Sequence, residues 1–219
     1  MKKHPSSMKG AYRAFDLWIS LGICLAIQLL GVQILLPLLQ KSNPLLPWVT
    51  ISLIFTTLAF LIPLIYLTSK HGGLNRSDFI LQGQDLIVLF LVVLLLFLVA
   101  AVYILRYGVR ASPAFAQMTS TLGSYEYALV FFIIIFLVPF LEETFFRRYI
   151  FELFRSRYRL SLAIAMTVGF ETFLHVGYKV EQLFFICLFS FGLTIAYLKS
   201  GLIAVVIIHF LINILFTFA

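Results

Sequence analysis

Five ionisable side chains and one asparagine lie in stretches of this chain that are otherwise strongly apolar. Two carboxylates fall in FLVPFLEETFFRRYI, a third with a histidine in VGFETFLHVGY, and a second histidine with the asparagine in IAVVIIHFLINILF. An ionised group in an apolar segment is costly unless it faces a protein interior, so such groups mark a candidate functional site. The six residues are Glu142, Glu143, Glu171, His175, His209 and Asn213.

The chemistry that these residue types favour is hydrolysis of an amide by an activated water molecule. A carboxylate beside a histidine holds and deprotonates water. Glu143 and Arg147 are four residues apart, in the order that favours a helical ion pair. Glu142 is rotated from Glu143 by about 100° on a helix. We therefore predict that Glu143 pairs with Arg147, and that Glu142 faces His175 as the water-activating pair.

The last of the three motifs contributes hydrogen-bond donors. His209 and Asn213 are also four residues apart, so they share one face of a helix. A histidine and an asparagine together can donate hydrogen bonds to the oxyanion that develops when water attacks a carbonyl carbon. We predict that these two residues form the oxyanion side of the site.

Composition places the motifs in a membrane. The 219-residue chain is 62% hydrophobic and 11% charged, with a mean hydropathy of +1.06, which excludes an ordinary soluble domain. A bilayer core about 30 Å thick needs roughly 20 apolar residues per helical span. Open sheet edges are excluded there, so we predict an all-α fold, a polytopic membrane helical bundle of about seven transmembrane helices. The predicted spans are approximately 15–40, 45–69, 85–106, 126–150, 160–178, 181–199 and 201–218.

The basic residues predict an orientation, because cytoplasmic loops are enriched in Lys and Arg. With a cytoplasmic amino terminus, twelve basic residues fall on the cytoplasmic side, including Arg147 and Arg148, and four fall outside. The outer four are Lys41, Arg106, Arg110 and Lys179. The net charge of +7 is thus mostly a topology signal, and basic residues scattered over several connections argue against nucleic-acid binding. We predict a multi-pass protein of the cell membrane.

The positions of two turns predict the depth of the site. Three closely spaced arginines indicate a cytoplasmic turn near Tyr158–Arg159, and Glu142 and His175 each lie about 16 residues from it, roughly 25 Å along a helix. His209 lies about nine residues beyond a second turn near Ser200–Gly201, roughly 13 Å deep. We expect all three side chains to meet in the cytoplasmic half of the membrane.

Taken together, the motifs resemble those of the CAAX-protease and bacteriocin-processing (CPBP) family, also called Abi proteins. EETFFR at 142–147 is similar to the family's EExxxR motif, His175 to its second-motif histidine, and His209 with Asn213 to its HxxxN motif. The resemblance implies an intramembrane glutamate-type endopeptidase that cleaves a peptide or a membrane-associated protein. The roles that it implies agree with the helical-face argument: the first glutamate and the second-motif histidine activate water, and the third motif forms the oxyanion site.

The similarity covers about residues 126–217, which form the family-like core of a single integral-membrane domain, 1–219. Residues 1–125 would add three amino-terminal spans. Two positions depart from the family's usual pattern, since Glu171 stands where a phenylalanine is usual and Arg148 where a glycine is common. Glu171 has three open interpretations: it raises the basicity of His175, binds Arg147, or displaces the usual packing. With Glu143 and Arg147 it is predicted to support the catalytic residues.

Other mechanisms and functions are weaker alternatives. Two histidines and three glutamates could hold Zn²⁺, but HExxH is absent, so we predict no cofactor and do not favour a metal. A non-enzymatic bacteriocin-immunity or scaffold protein of the same fold is the main alternative to a protease. A transporter is disfavoured because the chain lacks repeated halves.

Overall fold

The computed structural model describes residues 14–35, 37–38, 41, 48–80, 86–107, 124–175 and 178–218. Every regular element in these ranges is helical, which confirms the predicted all-α class. Helices are what the apolar sequence requires, because a helix satisfies its backbone hydrogen bonds within a single segment. The predicted cytoplasmic amino-terminal segment, 1–13, lies outside the described residues.

Among the residues that the structure describes, three long helices precede the family-like core. Helix α1 begins at Ala14 and continues beyond Ile27 as a π-helix, and a short 3₁₀ turn follows α2. The bounds are Ala14–Ile27 with its π-helical continuation Gln28–Leu35 (α1), Trp48–His71 (α2), Arg76–Phe79 (the 3₁₀ turn) and Leu86–Tyr107 (α3).

Four helices form the core, and α4 is the most irregular of them. It is one continuous helix in which α-helical and π-helical stretches alternate. These stretches are Ser124–Phe132 (α), Ile133–Leu137 (π), Val138–Glu143 (α), Thr144–Phe151 (π) and Glu152–Arg157 (α). The others are Leu160–Leu174 (α5), Val180–Ser200 (α6) and Leu202–Phe218 (α7).

Three segments of these helices are long and apolar enough to cross a membrane. They are Ser52–His71, Ala128–Arg157 and Val180–Ser200, whereas four apolar helical segments are shorter: Trp18–Gly31, Phe90–Val102, Leu160–Leu174 and Leu202–Leu215. The chain is therefore a helical membrane protein with apolar helices at all seven predicted positions, and seven complete crossings stay a prediction.

The two turns that set the predicted depth are where we expected them. Helix α4 ends at Arg157, Tyr158 is extended, and α5 begins at Leu160. Helix α6 ends at Ser200, and Gly201 has φ 82°, a left-handed conformation that glycine adopts without strain. The second turn therefore depends on a residue without a Cβ atom.

Helix α4 lies at the centre of the bundle. It packs against α2, α5 and α7, while α6 packs against α3, α5 and α7, and α1 packs mainly against α2. All eight residues of the π-helical stretch Thr144–Phe151 are buried. One hydrophobic cluster runs from Leu21 and Cys24 in α1 to Ile212 in α7, and α2 packs on a part of α4 that α5 and α7 leave open.

Candidate active site

All of the polar residues singled out from the sequence come from the four core helices. Glu142 and Glu143 end the second α-helical stretch of α4, directly before its π-helical stretch. His175 follows the last residue of α5, and His209 lies in the middle of α7. π-Helical stretches are common at functional sites, because they alter which side chains share a face.

Both carboxylate oxygens of Glu143 contact protein partners. Its Oε2 atom lies 3.1 Å from Nε of Arg147, and neither side chain is exposed. Its Oε1 atom lies 2.7 Å from Nδ1 of His209. The predicted Glu143–Arg147 pair is present in the structure, and the same carboxylate also orients a histidine of another helix.

Arg147 joins three helices. Besides Glu143 in its own helix, its Nη1 atom lies 2.6 Å from Oε2 of Glu171 in α5. Its Nη2 group donates to the carbonyl oxygen of Ser190 in α6 at 3.2 Å and contacts the Ser190 hydroxyl at 3.4 Å. The count of cytoplasmic basic residues needs a correction here, since Arg147 lies inside the bundle and not in a loop. Its charge is compensated by buried carboxylates, so it carries no information about how the protein is oriented in the membrane.

Glu171 binds Arg147, which was one of the three interpretations left open. Its carboxylate also accepts a hydrogen bond from the Ser190 hydroxyl. A buried carboxylate is tolerated when a cation and a hydrogen-bond donor satisfy it. The position where the family usually has a phenylalanine therefore holds a charged group with its own partners.

His175 makes a hydrogen bond to the backbone of the preceding turn. Its Nδ1 atom lies 2.8 Å from the carbonyl oxygen of Glu171. A carbonyl oxygen only accepts, so Nδ1 must carry the hydrogen. In the neutral ring Nε2 is then the acceptor, the form that a general base or a water-orienting group requires.

Glu142 differs from the other two carboxylates. Its Oε2 atom lies 3.8 Å from Nε2 of His209, and its side chain is 13% exposed. Within the described residues it takes part in no hydrogen bond. Glu142 and Glu143 are successive residues of a helix, yet their carboxylates lie near the two different ring nitrogens of His209.

His209 is held between α4 and α6. In addition to the two glutamates, the ring of Phe189 meets it edge to face, with 5.2 Å between centroids. The side chain of His209 is almost completely buried. A ring that is fixed by Glu143 on one nitrogen and by an aromatic neighbour can present its second nitrogen in a defined direction.

Asn213, one turn beyond His209, bonds to α4. Its Nδ2 group donates to the carbonyl oxygen of Ile134 at 3.3 Å. Ile134 lies in the first π-helical stretch of α4. Such an interhelical bond stabilises the pairing of α7 with α4. The oxyanion role predicted for Asn213 stays a prediction.

Sequence reasoning missed the contribution of α6. Ser190 provides a hydroxyl and a carbonyl group to the buried charges, and the Thr194 hydroxyl donates to the same carbonyl at 2.8 Å. The available signal was a serine and a threonine four residues apart in an apolar helix. Small polar residues at that spacing favour contacts between helices.

A second ion pair attaches the α2–α3 connection to α4. Nε of Arg148 lies 3.1 Å from Oδ2 of Asp78, in the 3₁₀ turn. The next residue, Tyr149, donates its hydroxyl to the carbonyl oxygen of Gly72 at 2.9 Å. Arg148, the other departure from the family's pattern, therefore fixes the α2–α3 connection to α4.

An apolar groove lies between α5 and α6. Its volume is about 800 Å³, and it is lined by seven residues of α5 between Ser161 and Phe173 and four of α6 between Leu183 and Phe191. The end of the groove formed by Thr172 and Phe173 is within one helical turn of His175. Gly169 in the groove has open space where a Cβ atom would be.

Metal binding was a weaker alternative. In the part of the chain that the structure describes, no three His, Cys, Asp or Glu side chains are grouped so that they could hold a metal ion. The absence of a cofactor stays a prediction.

Comparison with known families agrees with the motifs. Residues 124–215 match the family model described as type II CAAX prenyl endopeptidase Rce1-like, which is a protease family. No curated protein and no solved structure matches the chain. The matched segment contains α4 to α7 almost completely, and with them the buried network and the groove.

Proposed function

We propose that this chain, whose residues 124–215 belong to the Rce1-like family of type II CAAX prenyl endopeptidases, hydrolyses a peptide bond by means of a water molecule activated by Glu142 and His175. The observation that carries the proposal is the contrast among the three carboxylates. Glu143 and Glu171 bind Arg147, whereas Glu142 is partly exposed and takes part in no hydrogen bond among the described residues.

In the proposed reaction, a water molecule lies between the Glu142 carboxylate and Nε2 of His175. Glu142 accepts a proton from the water as the oxygen attacks the carbonyl carbon of the substrate. The resulting tetrahedral intermediate collapses when the same proton passes to the leaving amine. One water molecule is consumed, and the products are a new carboxyl terminus and a new amino terminus.

The oxyanion of the intermediate is stabilised by His209 and Asn213. Because Nδ1 of His209 donates to Glu143, donation from Nε2 as well requires the doubly protonated imidazolium. Glu143 and Glu142 lie beside its two nitrogens and stabilise that cation. Donors fixed in a site from which water is excluded stabilise developing charge more effectively than donors in water.

The proposed substrate is a membrane-associated peptide or protein that carries a lipidated CAAX-type tail. The groove between α5 and α6 supports this assignment, since it is apolar and ends within a turn of His175. Its volume is within the usual range for small-ligand pockets, about 300–1,000 Å³. An isoprenoid in the groove would bring the adjacent peptide bonds towards His175. We place the site in the cytoplasmic half of the membrane, with a cytoplasmic amino terminus.

Filling the groove is expected to weaken use of a prenylated substrate. The Gly169→Leu variant introduces a side chain into open space and displaces two or three isoprenoid carbons, which costs about 2 kcal/mol. That loss corresponds to a fall in kcat/KM of roughly thirtyfold. The measurement is cleavage of a farnesylated fluorogenic peptide ending in a CAAX tetrapeptide.

Gly22→Leu is the matched control, because Gly22 in α1 also has open space at its Cβ position and no residue of α1 lines the groove. It is expected to cleave the farnesylated peptide at the wild-type rate. Equal activity of Gly169→Leu and Gly22→Leu would contradict the assignment of the groove to the isoprenoid.

Hydrolysis itself is tested with purified protein in liposomes and the same farnesylated peptide in H₂¹⁸O. One ¹⁸O atom is expected in the new carboxyl terminus, on the fragment that lies amino-terminal to the cleaved bond. A non-enzymatic immunity or scaffold protein of this fold would bind the peptide and release no fragment. Binding without cleavage therefore overturns the proposal for this substrate class.

A further inference from the structure

The guanidinium group of Arg147 is oriented by a different helix at each of its three nitrogens. Nε contacts Glu143 within α4, Nη1 contacts Glu171 in α5, and Nη2 contacts Ser190 in α6. The group is planar and its donors point in fixed directions. Contacts on all three nitrogens therefore determine both the position and the orientation of the plane.

The buried carboxylates of Glu143 and Glu171 need hydrogen-bond donors besides Arg147. One guanidinium serves two buried carboxylates, those of Glu143 and Glu171, so it cannot fully neutralise both. Each carboxylate has a second donor: the His209 ring bonds to Glu143, and the Ser190 hydroxyl bonds to Glu171. Removing either donor changes how Arg147 is shared between the two carboxylates.

We propose that Glu171 and Ser190 are positioning residues: they fix the Arg147 guanidinium, which fixes the Glu143 carboxylate, which in turn holds the His209 ring by Nδ1. The consequence for catalysis rests on the proposed function, in which His209 stabilises the oxyanion. The chain of contacts itself does not depend on it. Glu171 departs from the phenylalanine that is usual in the family, and Ser190 provides the donor that this carboxylate requires.

The direction of the effect follows from the contacts. Without the Ser190 hydroxyl, the Glu171 carboxylate keeps Arg147 as its remaining side-chain partner and draws the guanidinium towards α5. The contact between Nε and Glu143 then lengthens, and Glu143 is free to turn about its side-chain bonds. The His209 ring follows, because its Nδ1–H bond to Glu143 is 2.7 Å long and strongly directional.

The test compares Ser190→Ala with Ser20→Ala. Both serines are completely buried, but the Ser20 hydroxyl donates to the Asp16 carbonyl within its own helix. The readout is the ¹⁵N resonances of the His209 imidazole in detergent-solubilised protein, assigned by their loss in His209→Asn. We expect the Nδ1 resonance to move in Ser190→Ala, to stay unchanged in Ser20→Ala, and to return in Ser190→Thr.

A second readout is cleavage of the farnesylated CAAX peptide. We expect kcat to fall about tenfold in Ser190→Ala, the lower end of the range seen when partners that orient metal-binding histidines are removed, with KM nearly unchanged. Ser190→Thr is expected to regain most of this loss, because it restores the hydroxyl.

An unchanged His209 spectrum in folded Ser190→Ala overturns the proposal, whatever happens to activity. If the resonance moves and neither the wild type nor any variant cleaves the peptide, the positioning role is supported and the proposed function fails for that substrate. If Glu142→Gln is inactive and Ser190→Ala matches Ser20→Ala in both spectrum and kcat, the positioning role fails and the protease assignment stands.

Discussion

Glu142→Gln is expected to lower the rate of peptide hydrolysis by about 10²–10⁴-fold, the contribution typical of a positioned general base. An amide has almost the shape of a carboxylate but does not accept a proton from water. Glu142 takes part in no hydrogen bond among the described residues, so the substitution removes little that stabilises the fold. The measurement is kcat for the farnesylated CAAX peptide, alongside the thermal unfolding midpoint of the purified variant.

Glu152→Gln is the control for this experiment. Glu152 lies in the same helix and pairs with Arg155 at a partly exposed position, so the same chemical change there is expected to leave kcat within about twofold, since exposed pairs contribute little. A folded Glu142→Gln protein with the activity of Glu152→Gln would exclude Glu142 as the base.

The second large effect is expected for the stability of Arg147→Met. Methionine has an apolar side chain of similar length, and it leaves the Glu143 and Glu171 carboxylates buried without their shared cation. Breaking a buried pair in this way costs about 3–5 kcal/mol. For a chain of this size, we expect the unfolding midpoint to fall by roughly 10 °C. Arg147→Lys is expected to restore only part of the lost stability, because one ammonium group cannot reproduce the contacts made at the three guanidinium nitrogens.

Arg155→Met is the matched control, since Arg155 is in the same helix and its ion pair with Glu152 is partly exposed. Its midpoint is expected to stay within about 2 °C of the wild type, because an exposed pair contributes under about 1 kcal/mol. Combining Arg147→Met with Glu143→Gln and Glu171→Gln should recover much of the stability by removing the uncompensated charges. Equal midpoints for Arg147→Met and Arg155→Met would show that the buried network does not stabilise the fold.

The parts of the site that depend on local spacing could be predicted from the sequence. Glu143 and Arg147 form their ion pair because residues four apart are neighbours on any helix. The turn at Gly201 follows from a glycine between two apolar runs. The all-α class follows from composition, because a bilayer leaves the backbone few alternatives.

The parts that depend on how helices are rotated against each other could not be predicted. Glu171 contacts Arg147, and Nδ1 of His209 contacts Glu143. Both contacts depend on which faces α5 and α7 present to α4. Spacing within one helix carries no information on those rotations. The π-helical stretches add to this, since they shift the direction of every side chain that follows them.

Ser190 is a further example of a residue whose partners could not be predicted from the sequence. In the sequence it is one hydroxyl in an apolar helix, a pattern that indicates a contact between helices but not its partner. The partner became identifiable when α6 was placed against α4 and α5, where Glu171 and Arg147 meet. Ser190 on α6 thus explains how a glutamate is accommodated at position 171, where the family usually has a phenylalanine.

The most direct test of the central claim is a comparison of peptide termini in membranes of cells that produce wild-type protein or Glu142→Gln at equal levels. We predict a set of peptides with new carboxyl termini that is present with the wild type and absent with the variant, and the sequence around those termini would identify the natural substrate. Identical sets of termini from the two membranes would contradict hydrolysis by water activated at Glu142.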